Sequence, residues 1–137
     1  MARKTECYVD TSALIAFLDR SDSYHPLFRR LFSDPPSLVT SSLVIAEGHG
    51  WFLRRYDARR AIQFLAFIEE FDPLVILPFG PEEMGDVAAT IKKFQDQKLT
   101  LADAHGLTIM SKRRIVNCWS SDRHLDLSGV PLVTGEP

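Results

Sequence analysis

Four carboxylates stand where their type and spacing permit chemistry: Asp10, Glu47, Asp103 and Asp122. Asp10 directly follows the β-prone run Cys7-Tyr8-Val9, and Asp122 follows a second such run, Ile115 to Trp119, after two serines. Glu47 falls on the helical stretch behind Leu38-Val39-Thr40, and Asp103 in the first turn of a helix that Thr100 can cap. Carboxylates held close together repel, and some stay protonated unless a cation joins them. An oxygen-rich donor set suits hard ions such as Mg²⁺ or Mn²⁺. Such an ion polarises a phosphate oxygen and lowers the pKa of bound water, and a second ion roughly 4 Å away would stabilise a leaving oxygen.

Each acid also has a purely structural explanation. Asp10 before Thr11-Ser12 is a good helix N-cap, Asp103 complements a helix dipole, and Asp122 can close a turn with Ser120 and Ser121. Glu47 has the weakest such explanation, because it interrupts an apolar face between Ile45-Ala46 and Trp51. Taken singly, the two readings weigh equally. The shared placement of four acids favours a site. The four histidines, His25, His49, His105 and His124, are scattered and are assigned no catalytic role.

The elements that must position these acids alternate along the chain. Cys7-Tyr8-Val9 reads as a strand, followed by a helix over Ala13 to Leu18. A helix over Tyr24 to Phe32 stops at Asp34-Pro35-Pro36. Leu38-Val39-Thr40 is a second strand, and Ser41 or Ser42 caps the helix that carries Glu47. Gly48 and Gly50 weaken that helix, so its middle is expected to be kinked or closely packed, with Glu47 less firmly placed. Asp57 caps the next helix. Leu74 to Leu77 reads as a buried strand, Pro81-Glu82-Glu83 as a helix start, and Ile115 to Trp119 as the fourth strand. Val130 to Val133 is expected as a short fifth strand, confined by Pro131 to an edge or terminus. Strand–helix alternation implies an α/β fold with a mostly parallel sheet covered on both faces. Ligands of such sheets lie beyond the carboxyl ends of the strands, where Asp10 and Asp122 fall.

The bulk properties bound the reading. A chain of 137 residues suits one domain, 1–137, with one core. With 45% hydrophobic and 25% charged residues, it has the composition of a soluble globular protein. No apolar run approaches the roughly 20 residues that span a bilayer. Asp10 and Asp19 break the apolar stretch near the N-terminus, so no signal peptide is read and a cytoplasmic location is expected. Cys7 and Cys118 are expected to be buried free thiols. The net charge of −2 gives no global attraction to nucleic acid. Local basic clusters remain: Arg29-Arg30, Arg54-Arg55, Arg59-Arg60, Lys92-Lys93 and Lys112-Arg113-Arg114. Each alone reads as a solvated helix face, whereas several around an acidic site could hold a phosphate backbone.

Four motifs then occur in a recognisable order. They are Tyr8-Val9-Asp10-Thr11-Ser12-Ala13-Leu14, Val44-Ile45-Ala46-Glu47, Leu99-Thr100-Leu101-Ala102-Asp103-Ala104 and Ser120-Ser121-Asp122-Arg123-His124-Leu125. Together they resemble the acidic motifs of PIN domains, including VapC-type toxins, over nearly the whole chain. The resemblance implies an α/β/α sandwich with a mostly parallel central sheet of four to five strands. It also implies Mg²⁺ or Mn²⁺ held by Asp10, Glu47, Asp103 and Asp122, and metal-dependent endoribonuclease activity leaving a 5′-phosphate and a 3′-hydroxyl. In the same terms, Thr11 or Ser12 would orient Asp10 or a metal-bound water. Ser121 stands where many relatives carry Thr and retains the hydroxyl, and Asp126 is either an additional acid or a surface residue. The implied partners are an RNA substrate, a second copy of the chain, and a small antitoxin whose arginine would pair with the carboxylates. The alternatives are a non-catalytic RNA- or protein-binding module and a housekeeping RNA-processing nuclease without antitoxin.

Other site types fail on residue identity. A haloacid-dehalogenase phosphotransferase needs a second Asp where Ser12 stands. An Asp-x-Ser-x-Ser metal site fails at Leu14. A nucleotide-binding fold would show a glycine-rich turn after the first strand, and Asp10-Thr11-Ser12-Ala13 has no glycine.

Overall fold

A computed structural model describes residues 6–135. Four strands, β1 (Glu6–Val9), β2 (Ser37–Ser41), β3 (Leu74–Leu77) and β4 (Asn117–Trp119), form one sheet in the order β3-β2-β1-β4. Every pairing is parallel. Parallel neighbours require crossovers, which the helices supply. These are α1 (Thr11–Leu18), α2 (His25–Ser33), α3 (Ser42–Arg55), α4 (Ala58–Glu70), α5 (Pro81–Lys93) and α6 (Leu101–Arg113). A 3₁₀ turn, Arg123–Ser128, follows β4.

Successive strand residues point to opposite faces, and this alternation divides the core in two. Cys7, Val9, Leu38, Leu74 and Trp119 face a layer that includes Leu14, Phe28, Phe32, Phe52 and Phe64. Tyr8, Val39 and Cys118 face Leu107, Ile109 and Met110 of α6, with Leu125 from the 3₁₀ turn. Most of the aromatic residues on the early helices are therefore core. Both cysteines are buried and free. No helix among the described residues is long and apolar enough to cross a membrane.

Local capping follows the side chains. Ser41 Oγ accepts from Leu43 N–H at 3.0 Å to start α3, and Asp57 Oδ1 accepts from Arg60 N–H at 2.9 Å to start α4. Pro81 opens α5, where its missing N–H costs no helical bond.

Three expectations change. β3 is an edge strand, with Val75 and Ile76 about half exposed at 49% and 40%, and is not a fully buried strand. Its apolar run resembles that of a central strand because burial depends on sheet position, which composition does not encode. Val130 to Val133 forms no strand: one parallel bridge joins Cys118 to Leu132, and Val133 N–H reaches Cys118 C=O at 2.9 Å. Pro131 has no N–H with which to extend that ladder. β4 begins at Asn117, because Ile115 is still tied to the end of α6 by its N–H to Met110 C=O.

The helix carrying Glu47 is unbroken from Ser42 to Arg55. Gly48 is there for contact: it is buried, and a Cβ at that position would overlap the Phe64 ring of α4. Gly48→Ala is therefore expected to destabilise the protein by about 1–3 kcal/mol, the usual cost of overpacking, despite the better helix propensity of Ala. Urea denaturation with an unchanged m-value would verify this.

Candidate active site

The carboxyl edge of the sheet is where β1 and β4 lie side by side. Asp10 N–H donates to Trp119 C=O at 3.0 Å, carrying the ladder one residue past β1. The buried Thr40 hydroxyl donates to Val9 C=O and fixes the same chain end from β2. Asp10 is thus held deep, with 5% exposure. It occupies the N-cap position of α1, as its type allowed, but its side chain makes no capping bond to the helix.

Two hydroxyls hold it instead. Ser12 Oγ, from the first turn of α1, and Ser120 Oγ, directly after β4, each donate to Asp10 Oδ2 at 2.9 Å. Those hydroxyls are themselves fixed: Ser121 N–H donates to Ser12 Oγ at 3.0 Å, and Asp122 N–H to Ser120 Oγ at 2.9 Å. Of the expected supporting residues, Ser12 orients Asp10, and Thr11 turns to Glu47, donating from Oγ1 to Oε1 at 3.1 Å. Ser121 contributes its backbone, whereas the hydroxyl on Asp10 belongs to Ser120. Sequence reasoning missed Ser120; its position immediately after a strand that pairs with β1 is the signal that would have found it.

The other acids are anchored as locally. Asp103 forms a capping box with Thr100: Thr100 N–H donates to Oδ2 at 3.2 Å, and Asp103 N–H to Thr100 Oγ1 at 3.1 Å. Asp122 caps the 3₁₀ turn, accepting from His124 N–H at 3.0 Å. His124 Nδ1 lies 3.3 Å from Asp103 Oδ2 and 3.4 Å from Asp122 Oδ1. One ligand atom each from Asp103, Asp122 and His124 falls within a 4.8 Å cluster, which makes His124 a candidate ligand although the sequence assigned it nothing. Asp126 sits exposed on the same 3₁₀ turn. His105 is packed, its Nδ1 2.6 Å from Ser41 Oγ and its ring against Phe79, and His25 is tied to Ala16 C=O.

The electrostatics bind the four acids into one unit. Burial pushes the Asp10 carboxyl up from 3.8 to about 6; the two serine bonds resist the rise and the charge of Asp122 adds to it. Glu47 is raised by burial of its carboxyl and by the charges of Asp103 and Asp122. Asp103 is raised by burial and by Asp122, with His124 opposing. Among the described residues, the ligand atoms close enough to share one ion are those of Asp103, Asp122 and His124, a set that includes the oxygens a hard divalent cation prefers; Asp10 and Glu47 fall outside that grouping and are coupled to it through charge.

The family model for the PIN domain matches residues 7–127. This chain belongs to the PIN domain family. No curated protein sequence matches it significantly. Among solved structures, VapC20 from Mycobacterium tuberculosis, a toxin that cleaves the sarcin–ricin loop, superposes with a TM-score of 0.81 at 23% identity, covering 91% of this chain and 96% of that one. A toxin–antitoxin complex from Klebsiella pneumoniae gives 0.60 at 20% identity, covering 93% and 96%. VapBC2 from Rickettsia felis, bound to a DNA fragment from its promoter, gives 0.61 at 12% identity, covering 93% and 97%. At these identities the likeness establishes the PIN fold, and the site of this PIN domain rests on its own residues.

A raised carboxyl favours folding only while protonated. The Asp10 contribution is complete below about pH 4 and is lost as pH rises through about 6. Metal-free Asp10→Asn protein should therefore be more stable than wild type at pH 8, by up to about 3 kcal/mol, and no more stable at pH 4. Denaturant titrations in EDTA at both pH values would check the sign.

Proposed function

We propose that this PIN-domain protein is a metal-dependent endoribonuclease and the toxin of a toxin–antitoxin pair. The observation that supports the reading is that Asp10, Glu47 and Asp103, on separate elements, are each raised by burial and each feel the charge of Asp122. The toxin character is supported by the likeness to VapC20 and to toxin–antitoxin complexes.

Asp10, Asp103, Asp122 and Glu47 would hold Mg²⁺ or Mn²⁺, which supplies Lewis-acid polarisation of a phosphate oxygen and a more acidic water. The protein's part is to fix the donors beforehand. Asp10 cannot rotate away from Ser12 and Ser120 without breaking both bonds. Asp103 and Asp122 are immobilised by the helix and turn that they cap. Glu47, exposed on α3 and steadied by Thr11 Oγ1, would complete the donor set from that helix. The products would be a 5′-phosphate and a 3′-hydroxyl.

Partners follow from the same charge. A small antitoxin placing an arginine among the four carboxylates would neutralise them with bidentate hydrogen bonds and shut the site. A homodimer belongs to the same proposal.

Purified protein is expected to cut a cellular RNA pool at discrete positions with Mg²⁺ or Mn²⁺ and not with EDTA. Asp10→Asn and Glu47→Gln should each lower the rate by at least ~100-fold. Cuts that persist in EDTA or in Asp10→Asn would refute the reading. A folded, metal-binding protein that binds RNA and never cleaves it would instead support a binding module.

A further inference from the structure

A cavity of about 920 Å³ lies away from the four acids, between the end of α1 and the junction of α3 and α4. Arg20, Arg55, Arg59 and Arg60 line it, against Asp19 and Asp57. Both acids are already engaged. Asp19 accepts from Tyr56 Oη at 3.0 Å to each oxygen and from Ser21 N–H and Oγ; burial works against its charge, but those bonds and Arg60 hold its carboxyl below its ordinary value. Asp57 caps α4. None of the four arginines forms a salt bridge among the described residues.

Two of the guanidinium groups lie against aromatic rings. Arg60 lies 4.3 Å over the Tyr56 ring and Arg55 5.5 Å from it, with Arg60 also 5.8 Å from Phe52. Cation–π stacking occupies the flat face of a guanidinium and leaves its N–H edge for an anion, the geometry that suits phosphate. The groove is also tied to the acidic edge. α1 starts at Thr11, in the site, and ends at Leu18, on the groove wall; α3 carries Glu47 and, eight residues on, Arg55. At 1.5 Å per residue, the two helices span roughly 10 and 12 Å between site and groove. A repeating polyanion could touch both ends of the same helices.

We propose that this arginine groove is a second RNA-binding subsite, gripping backbone phosphates of a single strand outside the point of cleavage. The proposal rests on the reading of the protein as acting on RNA. Charge complementarity selects the occupant: none of the groove's four arginines forms a salt bridge among the described residues, only Arg60 shares its charge with Asp19, and RNA offers an unbroken row of phosphates.

The test measures binding of a labelled single-stranded RNA to full-length Asp10→Asn protein across a salt series, at fixed Mg²⁺. Arg20, Arg55 and Arg59 are exposed and are changed together to Gln, leaving stacked Arg60 in place. Each lost phosphate contact on a single strand flattens the log–log salt dependence by about 0.7, so the triple variant should bind more weakly with a slope reduced by about 2. Changing the three to Lys keeps the charges and should retain most of the slope, which guards against a folding artefact. An Arg29→Gln/Lys92→Gln/Lys93→Gln variant removes equal charge elsewhere and should leave the slope nearly unchanged. An unaltered slope in the groove variant, an equal loss in the control, or no RNA binding by the parent would overturn the proposal. So would loss of polyglutamate binding with RNA binding intact, which would assign the groove to an acidic polypeptide. Cleavage of the same RNA by wild type is scored separately: cutting without a groove effect sinks only the subsite, and groove-dependent binding without cutting sinks only the nuclease.

Discussion

The carboxylate of Asp10 is buried at the point where β1, β4 and the start of α1 meet, and the surrounding structure is arranged to keep it there. Leaving a charged group at 5% exposure without partners would cost several kcal/mol. The two serine hydroxyls on Oδ2 meet part of that cost. They can do so only because β4 pairs with β1 in a register that sets Val9 opposite Trp119, which brings Ser120 beside Asp10. The register depends on Cys7, Val9 and Trp119 packing on one face and Tyr8 and Cys118 on the other. A slip of one residue would exchange the faces and separate the serine from the acid.

What the serines leave unmet defines the chemistry. Asp10 remains far above its ordinary proton affinity, and Glu47 and Asp103 are shifted in the same direction. In a stable protein such residual repulsion marks a place where something positive belongs. The capping roles of Asp103 and Asp122 do not compete with this. A carboxylate that closes a helix start or a turn is rigid, and a rigid donor loses little entropy when a cation arrives. Gly48 serves the same end indirectly, since its lack of a side chain lets α4 press Phe64 onto α3 beside Glu47.

Much of this was legible in the sequence for local reasons. Strand and helix order, the caps at Ser41, Asp57 and Thr100, and the four acids all follow from short-range pattern. Long-range facts were not legible. Ser120 meets Asp10 across 110 positions, and no local rule distinguishes it from Ser121. β3 reads as buried because its residues are apolar, and only the strand order reveals it as an edge. His124 looks like any surface histidine until the 3₁₀ turn after Asp122 swings its ring toward Asp103. The doublets Arg54-Arg55 and Arg59-Arg60 read as solvated faces, and the turn between α3 and α4 is what gathers Arg55, Arg59 and Arg60 around one groove.

The central claim is that the raised proton affinity of the acidic cluster exists to be relieved by a divalent cation. Calorimetric titration of Mn²⁺ into metal-free protein, in two buffers of different ionisation enthalpy, tests it directly. Near pH 6, where Asp10 is about half protonated, binding should release protons, and the release should fade by pH 8 as the site empties of protons beforehand. Asp10→Asn should weaken binding and remove most of the release. Mn²⁺ binding with no proton release at pH 6, or binding that survives Asp10→Asn unchanged, would contradict the account.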